Sequence, residues 1–110
     1  MWQEVGGYST EFSPGMSSDN DFTMKLYHAG CRIFLGVGSS LVYHFACVST
    51  GRIKKNDGRK QFLRKWSITQ RDFDKKILNR GEVAREPFVI GSVDLLKFKW
   101  KSEWLIRLKR

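Results

Sequence analysis

The chain has little cysteine and no long hydrophobic run, and each of these gaps excludes a class of protein. Cys31 and Cys47 are too few and too far apart for a disulfide framework or a zinc knuckle, and their apolar neighbours predict buried thiols in a reducing compartment. The chain contains no run of about 18 uncharged apolar residues, so no transmembrane helix is predicted. The N-terminus has no basic region followed by an apolar one, so no secretory signal is visible and a cytoplasmic location is expected.

Acidic residues are scarce in the second half of the chain. Residues 1–51 hold two bases against four acids, whereas residues 52–110 hold 18 bases against seven acids, within a net charge of +9. This asymmetry predicts an anionic partner for the basic half, and phosphates, acidic lipid surfaces and nucleic acid are candidates. A solvated basic face explains the composition equally well. The length of 110 residues predicts one small domain or a piece of a larger one.

The front of the chain predicts a loop followed by a helix. Residues 1–17 are rich in Gly, Ser and Pro and are predicted as a loop. Residues 18–29 carry an apolar stripe with helical spacing. Ser18 and Asp21 fit a capping box at the start of this helix, and Gly30 fits the residue that ends it.

The rest of the chain predicts strands and then helices. Short apolar runs near glycines predict strands over residues 31–35 and 40–48. Amphipathic runs predict helices over residues 59–66 and from residue 69 to about residue 78. The tail fits a strand by its alternation near residue 98, and it fits a helix by four apolar residues spaced by four. We favour a helix, because only this second pattern extends to the end of the chain; its members are Leu96, Trp100, Trp104 and Leu108.

Asp19, Asn20 and Asp21 have the letters of an Asp-X-Asp motif, which chelates the metal under a pyrophosphate in sugar-nucleotide enzymes. That role needs an apolar strand that leads into the acids, whereas here a Ser/Pro/Gly-rich stretch precedes them and a helix follows. A fixed carboxylate at such a helix start can act as a general base on a hydroxyl. The alternative is that both acids only cap the helix start, where each carboxylate stabilises the helix by about 0.3–1 kcal/mol through the helix dipole.

His44 lies near the C-terminal end of the second predicted strand. A neutral imidazole at a strand end is a good ligand for a borderline metal, but a histidine in an apolar strand can also be a hydrogen-bonded core residue. A carboxylate and an imidazole this far apart in sequence can meet in a fold. We therefore expect Asp19 and His44 to converge on one wet cleft.

Four segments taken together resemble the inverting glycosyltransferases of family 2, which have the GT-A fold. They fall within about residues 2–66 and read GGYSTEF, SSDNDFTMKLYHAGCRI, VYHF and GRKQFLRKW. The resemblance implies an α/β fold, a partial GT-A domain with a mixed sheet and flanking helices. Residues 1–66 would form its acceptor-side half, and residues 67–110 a basic, aromatic and mainly helical extension. The family's nucleotide-binding N-terminal half has no counterpart here, so a separate half or a partner chain is expected to complete the enzyme, and the isolated chain is expected to be inactive.

The resemblance also implies roles for single residues. A sugar would pass from a nucleotide-sugar donor to a hydroxyl of a glycan or lipid-linked acceptor, with inversion. Asp19 matches the catalytic base, although Ser18 stands where the family often has an acid. His44 matches a histidine that ligates the divalent metal, Mn²⁺ or Mg²⁺, or contacts the diphosphate. Four further residues match positions of the family's substrate site: Gly6, Gly7, Asp21 and Lys25. Of these, Asp21 matches the family's third acid, for which a structural role is expected.

A second hypothesis is a non-catalytic basic module that binds an anionic membrane or nucleic acid through residues 52–110. Bases interleaved with tryptophans in the tail suit an interfacial helix on an anionic membrane. The tail helix could instead pack on the core, with its lysines reaching water. Nucleic acid fits less well, because no recognised module is present and the aromatics do not form a stacking platform. An inert remnant of an enzyme is a third reading.

Overall fold

A computed structural model of the chain describes residues 1–14, 16–43, 54, 56–85 and 93–108. The helices predicted around residues 18–29, 59–66 and 69–78 are all present, and the tail is helical, so these predictions are confirmed. Along the described ranges the elements are a 3-10 turn at Thr10–Phe12, α1 at Ser18–His28, α2 at Gly58–Trp66, α3 at Gln70–Lys76 and α4 at Leu96–Leu108. None of the helices in these ranges is long and apolar enough to cross a membrane.

The start of α1 differs from the predicted capping box. Ser17 is the N-cap, it has a φ of 72° in the left-handed region, and it makes no side-chain capping bond. Its hydroxyl donates instead to Gln70 at 3.0 Å, which ties the start of α1 to α3. The carboxylate of Asp21 turns into the protein rather than toward the helix end. The predicted end is confirmed, because Gly30 has a φ of +102°, a conformation that glycine adopts without strain.

Side-chain caps fix the starts of α2 and α3. The Asp57 carboxylate accepts a hydrogen bond from the backbone N–H of Lys60 at 3.0 Å. The Thr69 hydroxyl accepts one from the backbone N–H of Asp72 at 3.1 Å. Each cap satisfies a donor that the first turn of a helix leaves without an intrahelical partner. These two short helices therefore begin where the sequence places a capping side chain.

Gly58, the first residue of α2, lies against the backbone that leads into α1. A Cβ atom at this position would overlap the carbonyl group of Met16. The close approach of two backbones requires glycine. It brings α2 against the N-terminal part of the chain, which is the arrangement on which the polar cluster described below depends.

The hydrophobic core contains residues from both segments of the chain, 1–66 and 67–110. The rings of Phe62 in α2 and Phe73 in α3 lie 5.4 Å apart between centroids. Tight burial of such large side chains is the main source of stability in a chain of this size. The buried apolar residues of this cluster are Phe12, Met24, Tyr27, Phe62, Ile68, Phe73 and Ile77.

The predicted α/β fold with a mixed sheet is wrong for the part of the chain that the structure describes, which is helical and contains no sheet. Residues 31–35 form no strand, although Phe34 packs on the core while Ile33 and Leu35 face solvent. A strand needs a partner strand, and alternation alone does not supply one. Residues 40–43 of the other predicted strand are irregular and exposed, and residues 44–48 lie outside the described residues.

Candidate functional site

Asp21 is buried in a polar cluster that joins the N-terminal loop, α1 and α2. Its carboxylate accepts hydrogen bonds from the Ser9 hydroxyl at 2.6 Å and from the Trp66 indole N–H at 2.8 Å. The Nζ atom of Lys65 lies 2.9 Å away, and that of Lys25 lies 3.8 Å away. A buried carboxylate is tolerated when it is paired and hydrogen-bonded in this way.

The electrostatics of the cluster favour its charged form. Burial raises the pKa of Asp21, but the hydrogen bonds from Ser9, Lys65 and Trp66 outweigh it, so this pKa is lowered. Burial likewise lowers the pKa of Lys65, but its bonds to Glu11 and Asp21 outweigh it, so this pKa is raised. Both groups are therefore ionised at neutral pH. Asp21, predicted in the substrate site, has the position of a structural acid.

Asp19 stands two residues earlier in the first turn of α1, and its side chain is exposed. Its carboxylate accepts a long hydrogen bond, 3.3 Å, from the Tyr8 hydroxyl. Burial, the charge of Asp19 and this bond together raise the pKa of Tyr8. One turn of helix thus holds two carboxylates in opposite situations: Asp21 is occupied by the fold, and Asp19 faces solvent beside a phenol.

An aromatic cluster lies beside Asp19. The ring of Tyr8 meets that of Trp2 edge to face at 5.2 Å between centroids, and Phe22 packs on both at 4.7 and 5.4 Å. Trp2 remains 52% exposed and Tyr8 53% exposed. Flat rings fixed by their neighbours and open on one side offer an apolar platform with polar edges.

The Gly6-Gly7 turn is held against α1 next to this platform. Both glycines have positive φ, +73° and +58°, and a Cβ atom on Gly7 would crowd the Trp2 ring at 3.0 Å. The Lys25 ammonium donates to the Gly7 carbonyl at 2.8 Å. Lys25 therefore holds the Gly6-Gly7 turn, and the next residue, Tyr8, contacts Asp19.

A cleft of about 710 Å³ opens on another side of Asp19. Its volume lies within the usual range for small-molecule sites. Residues 78–84 also line this cleft, and no motif in their sequence marked them as part of a site. The carboxylate of Asp74 and the side chain of Phe34 also line the cleft, so polar and apolar surfaces face each other within it.

The expected metal ligand, His44, lies outside the described residues. Within the ranges that are described, no three His, Cys, Asp or Glu side chains come together as a metal site. The residues in view therefore do not fit a divalent ion by themselves. The expected convergence of Asp19 and His44 stays a prediction.

A second cleft, of about 720 Å³, lies between α2, α3 and α4 and is strongly basic. Two acids on its wall, Asp57 and Asp74, face five bases, and Leu105 of α4 completes it. Low-dielectric walls that carry one excess charge concentrate ions of the opposite sign. We call this the basic cleft; its cationic residues are Arg59, Lys60, Arg71, Lys75 and Arg80.

Comparison with models of known protein families finds no match, and neither curated proteins nor solved structures give one. The geometry around Asp19 and the sequence resemblance are therefore the two observations that bear on the function of the chain.

Proposed function

We propose that the surface around Asp19 is the acceptor side of a sugar-transfer site. The observation that carries this is the exposed Asp19 carboxylate beside the open aromatic rings of Trp2 and Tyr8. Asp21, in the same helical turn, is ion-paired with Lys65 inside the protein. The fold therefore leaves one carboxylate of this pair available for chemistry.

The chemistry required of this chain is deprotonation of the acceptor. An acceptor hydroxyl attacks the anomeric carbon of the donor sugar while the carboxylate of Asp19 takes its proton, and the nucleoside diphosphate departs from the opposite face with inversion. General-base assistance of this kind is worth about 10²–10⁴ in rate. The rings of Trp2 and Tyr8 would pack on the C–H face of the acceptor sugar and hold its hydroxyl near Asp19.

Recognition of the donor is assigned elsewhere. The sequence resemblance implies a nucleotide-sugar donor and a divalent metal, and a separate nucleotide-binding half or partner chain would hold both. The described residues do not fit a metal site, so this chain would contribute the base and the acceptor surface.

Sugar binding to the ¹⁵N-labelled full chain tests the acceptor surface. Titration with methyl glycosides of common hexoses and N-acetylhexosamines should shift the resonances of the Trp2 indole, Tyr8 and Asp19, and leave unmoved the Trp66 indole, which is bonded to Asp21. Tyr8→Ala should abolish these shifts. Tyr43→Ala is the matched control, because Tyr43 is another exposed tyrosine. If no glycoside shifts the Asp19 surface, or if Tyr8→Ala retains the shifts, the assignment is wrong.

A non-catalytic module that binds an anionic partner is the second candidate, and the basic cleft favours it. This hypothesis predicts salt-sensitive binding through Arg59 and Arg71, and no effect of Asp19→Asn on any activity of the protein. Sugar transfer predicts the reverse for Asp19. Asp19→Asn therefore separates the two candidates.

A further inference from the structure

α4 has two apolar faces, and the structure buries only one of them. Ser102 is buried on the inner face, and Phe98, Leu105 and Ile106 are partly buried with it. Trp100 is 83% exposed and Trp104 is 62% exposed. The outer stripe, spaced by four residues along the helix, is Leu96, Trp100, Trp104 and Leu108.

This outer stripe is continuous. Residues four apart in a helix lie one above the other, and a rise of 1.5 Å per residue makes the stripe about 18 Å long. Apolar residues on an ordinary protein surface are scattered singly, whereas here two tryptophans and two leucines form one exposed row. Such a contiguous apolar row marks a contact site.

Bases surround the stripe. The exposed cationic residues of α4 outnumber its one acid, Glu103, and they are Lys97, Lys99, Lys101 and Arg107. In the sequence Lys109 and Arg110 follow the helix. The basic cleft adjoins this element, because Leu105 of α4 forms part of its wall. Apolar and cationic surfaces thus meet along one helix.

We infer that α4 lies in the headgroup layer of an anionic membrane. Trp100 and Trp104 would enter the boundary between headgroups and acyl chains, where tryptophan is favoured, and the neighbouring bases would contact lipid phosphates. The basic cleft would hold headgroups beside the helix. α4 is too short and too charged to span a bilayer, so it would lie parallel to the surface.

The charges argue against two other occupants of the stripe. A second copy of the chain would bring the lysines of two α4 helices together, with a net charge of +9 on each molecule, which is unfavourable. A nucleic acid would satisfy the bases but would leave the apolar surface of Leu96 and Leu108 without a matching partner. An anionic lipid surface matches both the charges and the apolar stripe. This inference does not depend on the proposed sugar transfer.

Co-sedimentation of the full chain with sucrose-loaded vesicles tests the inference. Binding is expected to vesicles of phosphatidylcholine mixed with phosphatidylglycerol, and to be weaker with phosphatidylcholine alone or in high salt. The double variant Trp100→Ser, Trp104→Ser should bind at least about tenfold more weakly, because it loses most of the inserted apolar area. Leu41→Ser with Val42→Ser is the matched control, since it removes two exposed apolar side chains outside α4 and should bind as the wild type does.

A second double variant tests the basic cleft. Arg59→Gln with Arg71→Gln should weaken binding to the anionic vesicles and leave the folded state intact by circular dichroism. Brominated phospholipids should quench Trp100 and Trp104 fluorescence most strongly when the bromine lies near the headgroups.

Four results would overturn the inference. They are no vesicle binding at low salt, unchanged binding by the double tryptophan variant, a doubled mass in light scattering without lipid that this variant abolishes, and oligonucleotide binding that displaces vesicles and needs the same tryptophans.

Discussion

The Nζ atom of Lys65 lies 2.9 Å from the buried carboxylate of Asp21, and this pair joins α2 to α1. The same ammonium lies 2.7 Å from Glu11, so one lysine links three parts of the chain. Because Lys65 and Trp66 occupy Asp21, the neighbouring Asp19 is the carboxylate that a ligand can reach. The packing of α2 thus determines which acid of the Asp-Asn-Asp cluster is available.

Loss of the Lys65 ammonium should destabilise the fold. We expect Lys65→Met to lower the free energy of unfolding by about 3 kcal/mol, near the lower end for a buried charge that loses its partner, since Ser9, Trp66 and Lys25 remain. Urea denaturation at neutral pH measures it. Arg64→Met, an exposed neighbour in α2, should change stability by less than about 0.5 kcal/mol. Equal effects of the two substitutions would refute the role given to Lys65.

The contribution of Asp21 to stability should depend on pH. Its folded-state pKa lies below its unfolded-state value of about 3.9. The stabilisation is therefore complete above the unfolded-state pKa and is lost as the pH falls through the lower, folded-state pKa. The difference in unfolding free energy between wild type and Asp21→Asn should shrink as the pH falls below about 4. A difference that stays constant down to pH values well below that would contradict the pairing.

Gly58→Ala should destabilise the protein, because the new methyl group would overlap the Met16 carbonyl and force two backbones apart. We expect a loss of about 2 kcal/mol, as for other cases of overpacking. Thermal unfolding is a sufficient measurement. Gly36→Ala is the control, since nothing lies within 4 Å of a Cβ atom there. If Gly58→Ala unfolds like Gly36→Ala, α2 does not make the described approach.

The cap of α3 should be measurable in the same way. Thr69→Ala removes the acceptor for the Asp72 N–H and should cost about 1 kcal/mol. Thr23→Ala, within α1, should change stability by a few tenths of a kcal/mol at most, because alanine is the better helix former there. Comparable losses for both threonines would argue against the cap.

Local signals in the sequence were sufficient for the helices. Apolar spacing predicted all four helices. The end of α1 at Gly30 was also predicted, because it depends only on the backbone preference of one residue. Strand pairing is not local, so the alternation around Phe34 was mistaken for a strand in a sheet. Phe34 alternates with Ile33 and Leu35 because its own side chain packs on the core while theirs face solvent.

The candidate site was predictable only in part. Lys25 contacts the Gly7 carbonyl and Tyr8 contacts Asp19, and the substrate-site roles that the resemblance implies for Gly6, Gly7, Asp19 and Lys25 stay predictions. The segment that contains Lys65 and Trp66 was noticed in the sequence, but its contact with Asp21 spans two helices, and no spacing rule reveals it. In α4 the spacing by four was read correctly as helical. Helical spacing by itself does not tell which of two apolar faces the core will bury.

Sugar transfer by the protein from the cells that make it is the most direct test of the role of Asp19. An epitope-tagged chain, purified with the polypeptides it carries along, would be incubated with radiolabelled nucleotide sugars, Mn²⁺ or Mg²⁺, and endogenous acceptors. We predict transfer by the wild type and by Glu103→Gln, a matched loss of an exposed acid, and a fall of about 100-fold or more in Asp19→Asn at unchanged stability. Undiminished transfer by Asp19→Asn, or none by the wild type, would contradict the account.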